Sequence, residues 1–407
     1  MGNTICYYIC CSCCCSRYNR REDYLKKERH KEKKRTMRQF SKLSKSHKTR
    51  VEVGSYPTNL TIEEISNIVE IPNAKYNTED DVIAGRGYLL GQKLGEGKFA
   101  TVYEATDIKF GTELAVKVMV LSDKKYRKAE RNALVKDITH ELFMLERIRH
   151  LYVVRLGTHF VVENHTAPKS TVYIVMQRGV GGTLAERNKQ SGPFNEDVCR
   201  IWFSQMLSAL VYMHASGIVH RDLKTQNILL DITDDILISD FGLSRVVYRE
   251  GVQLESNTFC GTPSYMAPEL VNMKLTKQER RRRQTLKKDS KDGQPKLGYM
   301  APPVDVWALG VVLFTLFTQK FPYDSSDLNR WSQMLVTDMQ HKKYHFERHL
   351  QPSTDLVNIM DQMFEPDPTR RSTMLLLTRH PWIVKKYEET NNKVIDWFKS
   401  KKLSKNI

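Results

Sequence analysis

The chain has 407 residues, 40 % of them hydrophobic and 27 % charged, with a formal net charge of +17. That balance excludes a fibrous, collagen-like or wholly unstructured chain and fits a globular core with polar extensions. The charge is local: residues 17–50 carry fifteen Lys/Arg against four Asp/Glu and residues 271–297 carry ten against three, so the rest of the chain is nearly neutral. Six of the eight cysteines fall between Cys6 and Cys15, with only Cys199 and Cys260 elsewhere, which argues against a secreted disulfide scaffold. No charged n-region with a clean apolar h-region marks a secretory leader. The apolar run Val306 to Phe317 is too short to span a bilayer and reads as a buried core helix.

Residues 1–16 begin Met1-Gly2-Asn3-Thr4-Ile5-Cys6 and continue with aromatic, apolar and Cys residues. Gly2 is a candidate myristate acceptor, although Cys6 replaces the Ser/Thr of the usual pattern. A single acyl chain binds membranes at only roughly 10⁴ M⁻¹, so anchoring needs a second signal. Two are present: cysteines such as Cys6 for palmitate, and the basic 17–50 segment for anionic headgroups at about 1 kcal/mol per near-surface charge. A metal-binding reading of the cysteines finds no His in the same segment. The expected address is the cytoplasmic face of a membrane, or the cytoplasm if the chain is not acylated. Residues 51–87 read as a linker in which Leu60 to Val69 has helical spacing behind Thr61 and Glu64, either a short helix or a docking motif.

From Tyr88 the pattern changes. Leu94-Gly95-Glu96-Gly97-Lys98-Phe99-Ala100-Thr101-Val102 is glycine-rich, and such glycines let backbone N–H groups close on phosphate oxygens. Leu114-Ala115-Val116-Lys117-Val118 alternates as a strand, with Ala115 and Lys117 on one face. The charged run Asp123 to Lys136 is expected to be an extended loop. Thr139 to His150 then has helical spacing, with Glu141 on the stripe of Leu145 and Ile148. Thr171 to Met176 reads as a strand leading into Gln177-Arg178-Gly179, and Val198 to His214 as a long amphipathic helix.

Chemistry concentrates in His220-Arg221-Asp222-Leu223-Lys224-Thr225-Gln226-Asn227 and, about a dozen residues on, Asp240-Phe241-Gly242. One carboxylate to orient a hydroxyl, with an amide and a second carboxylate as oxygen ligands, is equipment for phosphoryl transfer with Mg²⁺. Cys260-Gly261-Thr262-Pro263 runs on to Ala267-Pro268-Glu269, and Asp305, Arg371 and His380-Pro381-Trp382 follow in order.

The set H-R-D-L-x-x-x-N and D-F-G, behind L-A-V-K and the glycine-rich loop, resembles the eukaryotic protein kinase family of serine/threonine type. Its calcium/calmodulin-kinase-like and checkpoint-kinase-like members are nearest in character. The resemblance spans residues 88–384, with residues 271–297 as a basic insertion and residues 385–407 as a charged tail. It implies an α+β fold of two lobes, a small β-rich lobe with one main helix and a larger helical one. It also implies ATP and Mg²⁺ as cofactors and protein Ser/Thr as substrate. Asp222, Lys224, Asn227 and Thr262 would be catalytic, with Asn227 and Asp240 holding the metal. The nucleotide would meet Leu94 through Val102, Ala115, Lys117 with its partner Glu141, the gatekeeper Met176, the hinge groups of Gln177 and Gly179, Leu229 and Asp240.

By the same resemblance, His220, Phe241, Leu145 and Leu156 would stack as a spine, Asp305 would brace the catalytic loop, and Arg371 would pair with Glu269. A phosphate on Thr258, with Ser256 as the alternative, would be read by Arg221. Three departures stand out: Ala100 replaces the third glycine, Gln177-Arg178-Gly179 replaces the usual hinge triplet, and the 271–297 insertion is foreign to the family. Neither Thr183 nor Gln226 is acidic, so a preference for basic residues ahead of the phosphosite is not expected unless Glu186 compensates. The alternative is a membrane-tethered pseudokinase scaffold, although the Lys117, Asp222 and Asp240 that such proteins lose are all present. The basic stretches are an extension and an insertion appended to the kinase-like body, so nucleic-acid binding is not expected. No D-x-D-x-D-G calcium loop occurs.

Overall fold

The computed structural model describes residues 83–97, 99–122, 127–164, 169–249, 252–253, 256, 260–273, 299–323 and 333–384. The candidate acylation segment, the basic 17–50 stretch, the 60–69 pattern, most of the basic insertion and the charged tail lie outside these residues. Apolar alternation builds the small lobe. Strands β1 (Tyr88–Glu96), β2 (Thr101–Asp107), β3 (Glu113–Ser122), β4 (Leu156–Asn164) and β5 (Lys169–Gln177) form one antiparallel sheet in the order β1-β2-β3-β5-β4. In β3, Leu114, Val116 and Val118 pack with Tyr173, Val175 and Phe160 on one face, while Met119 and Leu121 join the main core. Ile83, just ahead of β1, is fully buried in the first of these clusters.

Helix α1 (Lys128–Arg147) corrects one expectation. The charged run assigned to a loop supplies its first turns, because Leu134, Val135 and Ile138 lie at helical spacing and are buried with Leu142 and Leu145. The Glu130 carboxylate accepts the Arg127 backbone N–H at 3.0 Å, satisfying a donor at the helix start. Charge on the outer face had hidden a stripe that packs inward.

The larger lobe is helical: α2 (Leu184–Ser191), α3 (Glu196–Ala215), α4 (Ala301–Thr318), α5 (Gln333–Gln340), α6 (Thr354–Met363), α7 (Met374–Leu377) and α8 (Pro381–Val384). Asn195 caps α3 by accepting from Val198 N at 2.9 Å, and Ser353 caps α6 by accepting from Leu356 N at 3.2 Å. Helix α4 is apolar all round because it is the axis of the lobe, buried on nearly every side among α3, α6 and the catalytic loop. By length and composition it would cross a membrane, but its burial inside the lobe explains its character.

Residues 268–273 are helical, and Val271 and Met273, counted from sequence with the basic insertion, are buried in the core. Glu269 at this helix meets Arg371, whose side chain has no solvent exposure. All five guanidinium donors of Arg371 find acceptors: both Glu269 oxygens at 2.8 and 3.0 Å and the carbonyls of Pro303, Glu365 and Pro366. A buried charge persists on such terms, with its partner present and no donor left over. The architecture is thus α+β in two lobes, with the short strands β6 (Ile218–Val219), β7 (Ile228–Leu230) and β8 (Ile236–Ile238) at the junction.

Candidate active site

Three elements meet between the lobes. The first is the sheet. At the hairpin tip joining β1 to β2, Gly97 N–H donates to Ala100 O at 2.8 Å, while Gly95 and Glu96 pair with Val102 and Thr101. Leu94 and Phe99 are exposed, Ala100 packs on the core, and Lys98 lies outside the described residues. Ala115 sits opposite Met176 in the β3–β5 pairing, so these two candidate adenine contacts are cross-strand neighbours. Lys117 Nζ lies 2.6 and 2.7 Å from the two oxygens of Glu141 on α1. Burial opposes the Lys117 charge, but Glu141 and Asp240 outweigh it and raise its pKa above the usual lysine value.

The second element is the hinge. Gln177 N–H donates to Arg155 O at 2.9 Å, and the Arg178 guanidinium binds Glu104 on β2 and lies 3.7 Å from Glu113 on β3. Next to this strap, Gly179 presses on the floor of the cleft: a Cβ there would stand 2.5 Å from Leu229 Cβ, so no side chain fits. Gly181 N–H and Gly182 O then bond to Leu230 at 2.8 and 2.9 Å. Sequence reading missed the Arg178 strap, since its partner Glu104 lies 74 positions away. Glu186 closes the cap of α2, accepting Thr183 N–H at 2.8 Å. One oxygen of the carboxylate offered for a basic substrate residue is thus engaged in the cap, while the residue itself is exposed.

The third element is the catalytic loop after β6. Asp222 collects donors: Lys224 Nζ at 2.7 Å, Thr262 Oγ1 at 2.8 Å and Asn227 Nδ2 at 3.0 Å, while Lys224 also donates to Thr262 at 3.0 Å. Asn227 Nδ2 additionally donates to the Asp222 carbonyl at 2.9 Å, so both its amide protons serve this loop and its oxygen faces away from it. Asp240 takes a left-handed φ of 64° and stands near enough to Lys117 to help raise its pKa. Phe241 is fully buried, with its ring edge-on to His220 at 5.3 Å, and shares a cluster with Leu145 and Leu156. His140 on α1 contacts the Ser244 carbonyl, and burial lowers its pKa, leaving a neutral imidazole to donate that bond.

Asp305 at the start of α4 holds the loop's shape. It is fully buried and accepts His220 N and Arg221 N at 2.8 Å each and His214 Nε2 at 2.9 Å. Burial alone would raise its pKa, but the hydrogen bond and charge of His214, with His220, bring it below the ordinary value. Those two backbone bonds hold Arg221 at φ 65°, a conformation costing about 1–2 kcal/mol for a side chain with a Cβ. At the facing loop, Gly261 has φ 105° and its would-be Cβ lies 3.0 Å from Arg221 O, which explains glycine there. Thr258, Gly2 and Cys6 lie outside the described residues.

Between the two lobes stand a lysine–glutamate pair above, a carboxylate–lysine–threonine cluster below and a glycine-tight connecting strand. A family model for the protein kinase domain matches residues 88–383. The chain belongs to the protein kinase family. It is 33 % identical over 310 residues to CBL-interacting serine/threonine-protein kinase 18 of Arabidopsis thaliana, covering 76 % of this chain and 51 % of that protein. It is 34 % identical over 304 residues to CBL-interacting protein kinase 19 of Oryza sativa subsp. japonica, covering 75 % and 52 %. Against testis-specific serine/threonine-protein kinase 1 of Mus musculus it is 33 % identical over 304 residues, covering 74 % and 73 %. The chain spans about half the length of the plant relatives it matches.

Proposed function

We propose that the chain is an ATP-dependent protein serine/threonine kinase held at the cytoplasmic face of a membrane by its N-terminus. The catalytic half rests above all on the closed cluster of Asp222, Lys224 and Thr262. Asp222 orients the substrate hydroxyl and accepts its proton as the oxygen bonds to the γ-phosphorus and the bond to the ADP oxygen breaks. Lys224, held against Asp222 and Thr262, would offset charge on the phosphoryl group in transfer. Thr262 fixes the Asp222 rotamer and, with Lys224, shapes the site for an aliphatic hydroxyl.

Lys117, steered by Glu141, meets the α- and β-phosphates. Ala115, Met176 and Leu229 bound the adenine, and the backbone of Gln177 and Gly179 reads its edge. Asn227 and Asp240 would hold Mg²⁺, and they fit it: the Asn227 amide protons are committed to Asp222, leaving an oxygen donor for a hard cation. When bound, the ion neutralises phosphate charge. Lys117→Met is expected to weaken ATP binding about tenfold, the worth of one charged hydrogen bond, with a nucleotide titration as the measurement.

A peptide-library assay of wild type against Asp222→Asn tests the reading. Phosphorylation of Ser/Thr peptides by the wild type alone is the expected result, and equal signals favour the scaffold. The membrane half rests on Gly2, the cysteines from Cys6 to Cys15 and the basic 17–50 segment acting together. Palmitate labelling is expected in the wild type and to be lost when those cysteines are replaced by serine. Equal labelling would remove the anchor from the proposal.

A further inference from the structure

We infer that Tyr299 is a positioning residue that latches the activation segment to the catalytic loop before any phosphate is added, an inference that rests on the kinase reading above. Ser256, a described residue two positions before Thr258, pairs with Tyr299 in both directions. Ser256 N–H donates to Tyr299 O at 2.9 Å, and Tyr299 N–H donates to Ser256 O at 3.0 Å. Both residues are buried. The Tyr299 hydroxyl accepts a long contact from Arg221 Nη1 at 3.5 Å and lies 4.0 Å from Cys260 Sγ. On its other side the Arg221 guanidinium donates from Nε to Leu243 O at 2.7 Å, just beyond Asp240-Phe241-Gly242.

One side chain and its backbone thus join the activation segment, the catalytic-loop arginine and the loop that carries Thr262. Cys260 precedes Gly261, whose backbone abuts Arg221 O, and Gly261 precedes Thr262, which donates to Asp222 at 2.8 Å. The route from latch to catalytic carboxylate is three residues long. Burial, with Cys260 adding to it, pushes the Tyr299 phenol up to about 12. The hydroxyl therefore stays protonated at neutral pH, able to accept from Arg221 while donating towards sulfur. A neutral acceptor engages the guanidinium for which a phosphate would compete, and binds it less strongly than a phosphate. Tyr299 is also the first described residue after the basic insertion, so the latch stands where that insertion rejoins the fold.

The test uses the full chain with Tyr299→Phe, which keeps the ring and removes only the hydroxyl. In phosphatase-treated enzyme, kcat/KM for peptide should fall about fivefold, the worth of roughly one modest hydrogen bond. KM for ATP should stay within about twofold, because the latch does not touch the nucleotide cleft. With Thr258 phosphorylated, the loss should shrink below about twofold, since the phosphate takes over Arg221. Amide hydrogen exchange across residues 256–262 should quicken in the variant, a readout that needs no catalysis. Unchanged turnover and exchange, or an equal loss in both phosphorylation states, would overturn the latch. A wild type no more active than Asp222→Asn would overturn the kinase reading instead, and exchange alone would then decide the latch.

Discussion

Asp222→Asn is expected to lower kcat for peptide phosphorylation by about 10²- to 10⁴-fold, the range of a well-placed general base, while ATP still binds. Three donors converge on this carboxylate: Lys224, Thr262 and Asn227. An amide of the same shape replaces one acceptor oxygen with an NH₂ group, so at least one neighbour meets donor against donor. The residue is 8 % exposed, which leaves water little room to repair the mismatch. Steady-state kinetics with a nucleotide titration separates the two effects: KM for ATP should hold while turnover collapses. Turnover near the wild-type value would remove Asp222 from the chemistry.

Asp305→Asn should act on the fold as much as on the site. The carboxylate accepts from His214, His220 N and Arg221 N with no solvent contact. An amide can serve one side only, leaving buried donors unpaired at a cost of about 3–5 kcal/mol, as for one partner removed from a buried charged pair. Because those bonds also hold Arg221 at positive φ, the loop that presents Asp222 should relax and activity should fall with stability. Urea denaturation measures the first loss and peptide turnover the second.

The pH dependence has a definite sign. The folded pKa of Asp305 is depressed, so its stabilisation is fully present above the unfolded value of about 3.9 and is lost as pH falls through the folded value. Wild-type stability should therefore drop below about pH 4, and the Asn variant should show a flatter acid limb. Identical slopes would mean that other carboxylates dominate acid unfolding.

The grouping of contiguous candidate residues was legible before the structure. Asp222, Lys224 and Asn227 sit on one loop, so their spacing alone constrains their geometry, and Glu141 followed from the helical stripe it shares with Leu145. The two-lobed α+β fold followed from the same motifs in register. Less legible were features that depend on distant or unusual partners. The first turns of α1 went unread because Arg127 is a poor cap by type, and because Arg131, Lys136 and Asp137 surround the buried Leu134 and Val135 with charge. The pairing of Ser256 with Tyr299 crosses 43 positions and rests on backbone atoms, which leave no mark in residue type. The capping bond that Glu186 accepts from Thr183 N–H went unread because it is a matter of rotamer, not composition.

The hinge has a mechanical consequence. Up to Arg178 the connecting strand is tied to the small lobe, through Gln177 N–H on Arg155 and the guanidinium on Glu104. From Gly179 onward it is tied to the large lobe, through the Leu229 contact and the Gly181 and Gly182 bonds to Leu230. Along this strand the handover from one body to the other falls in the few torsions that join Arg178 to Gly179. Domain closure at a hinge is absorbed by a small number of φ and ψ changes. In this chain the strap's pivot is one peptide unit wide, and a second tie, the backbone bonds of Tyr152 and Val154 to Ile238, sets the axis about which the lobes can close.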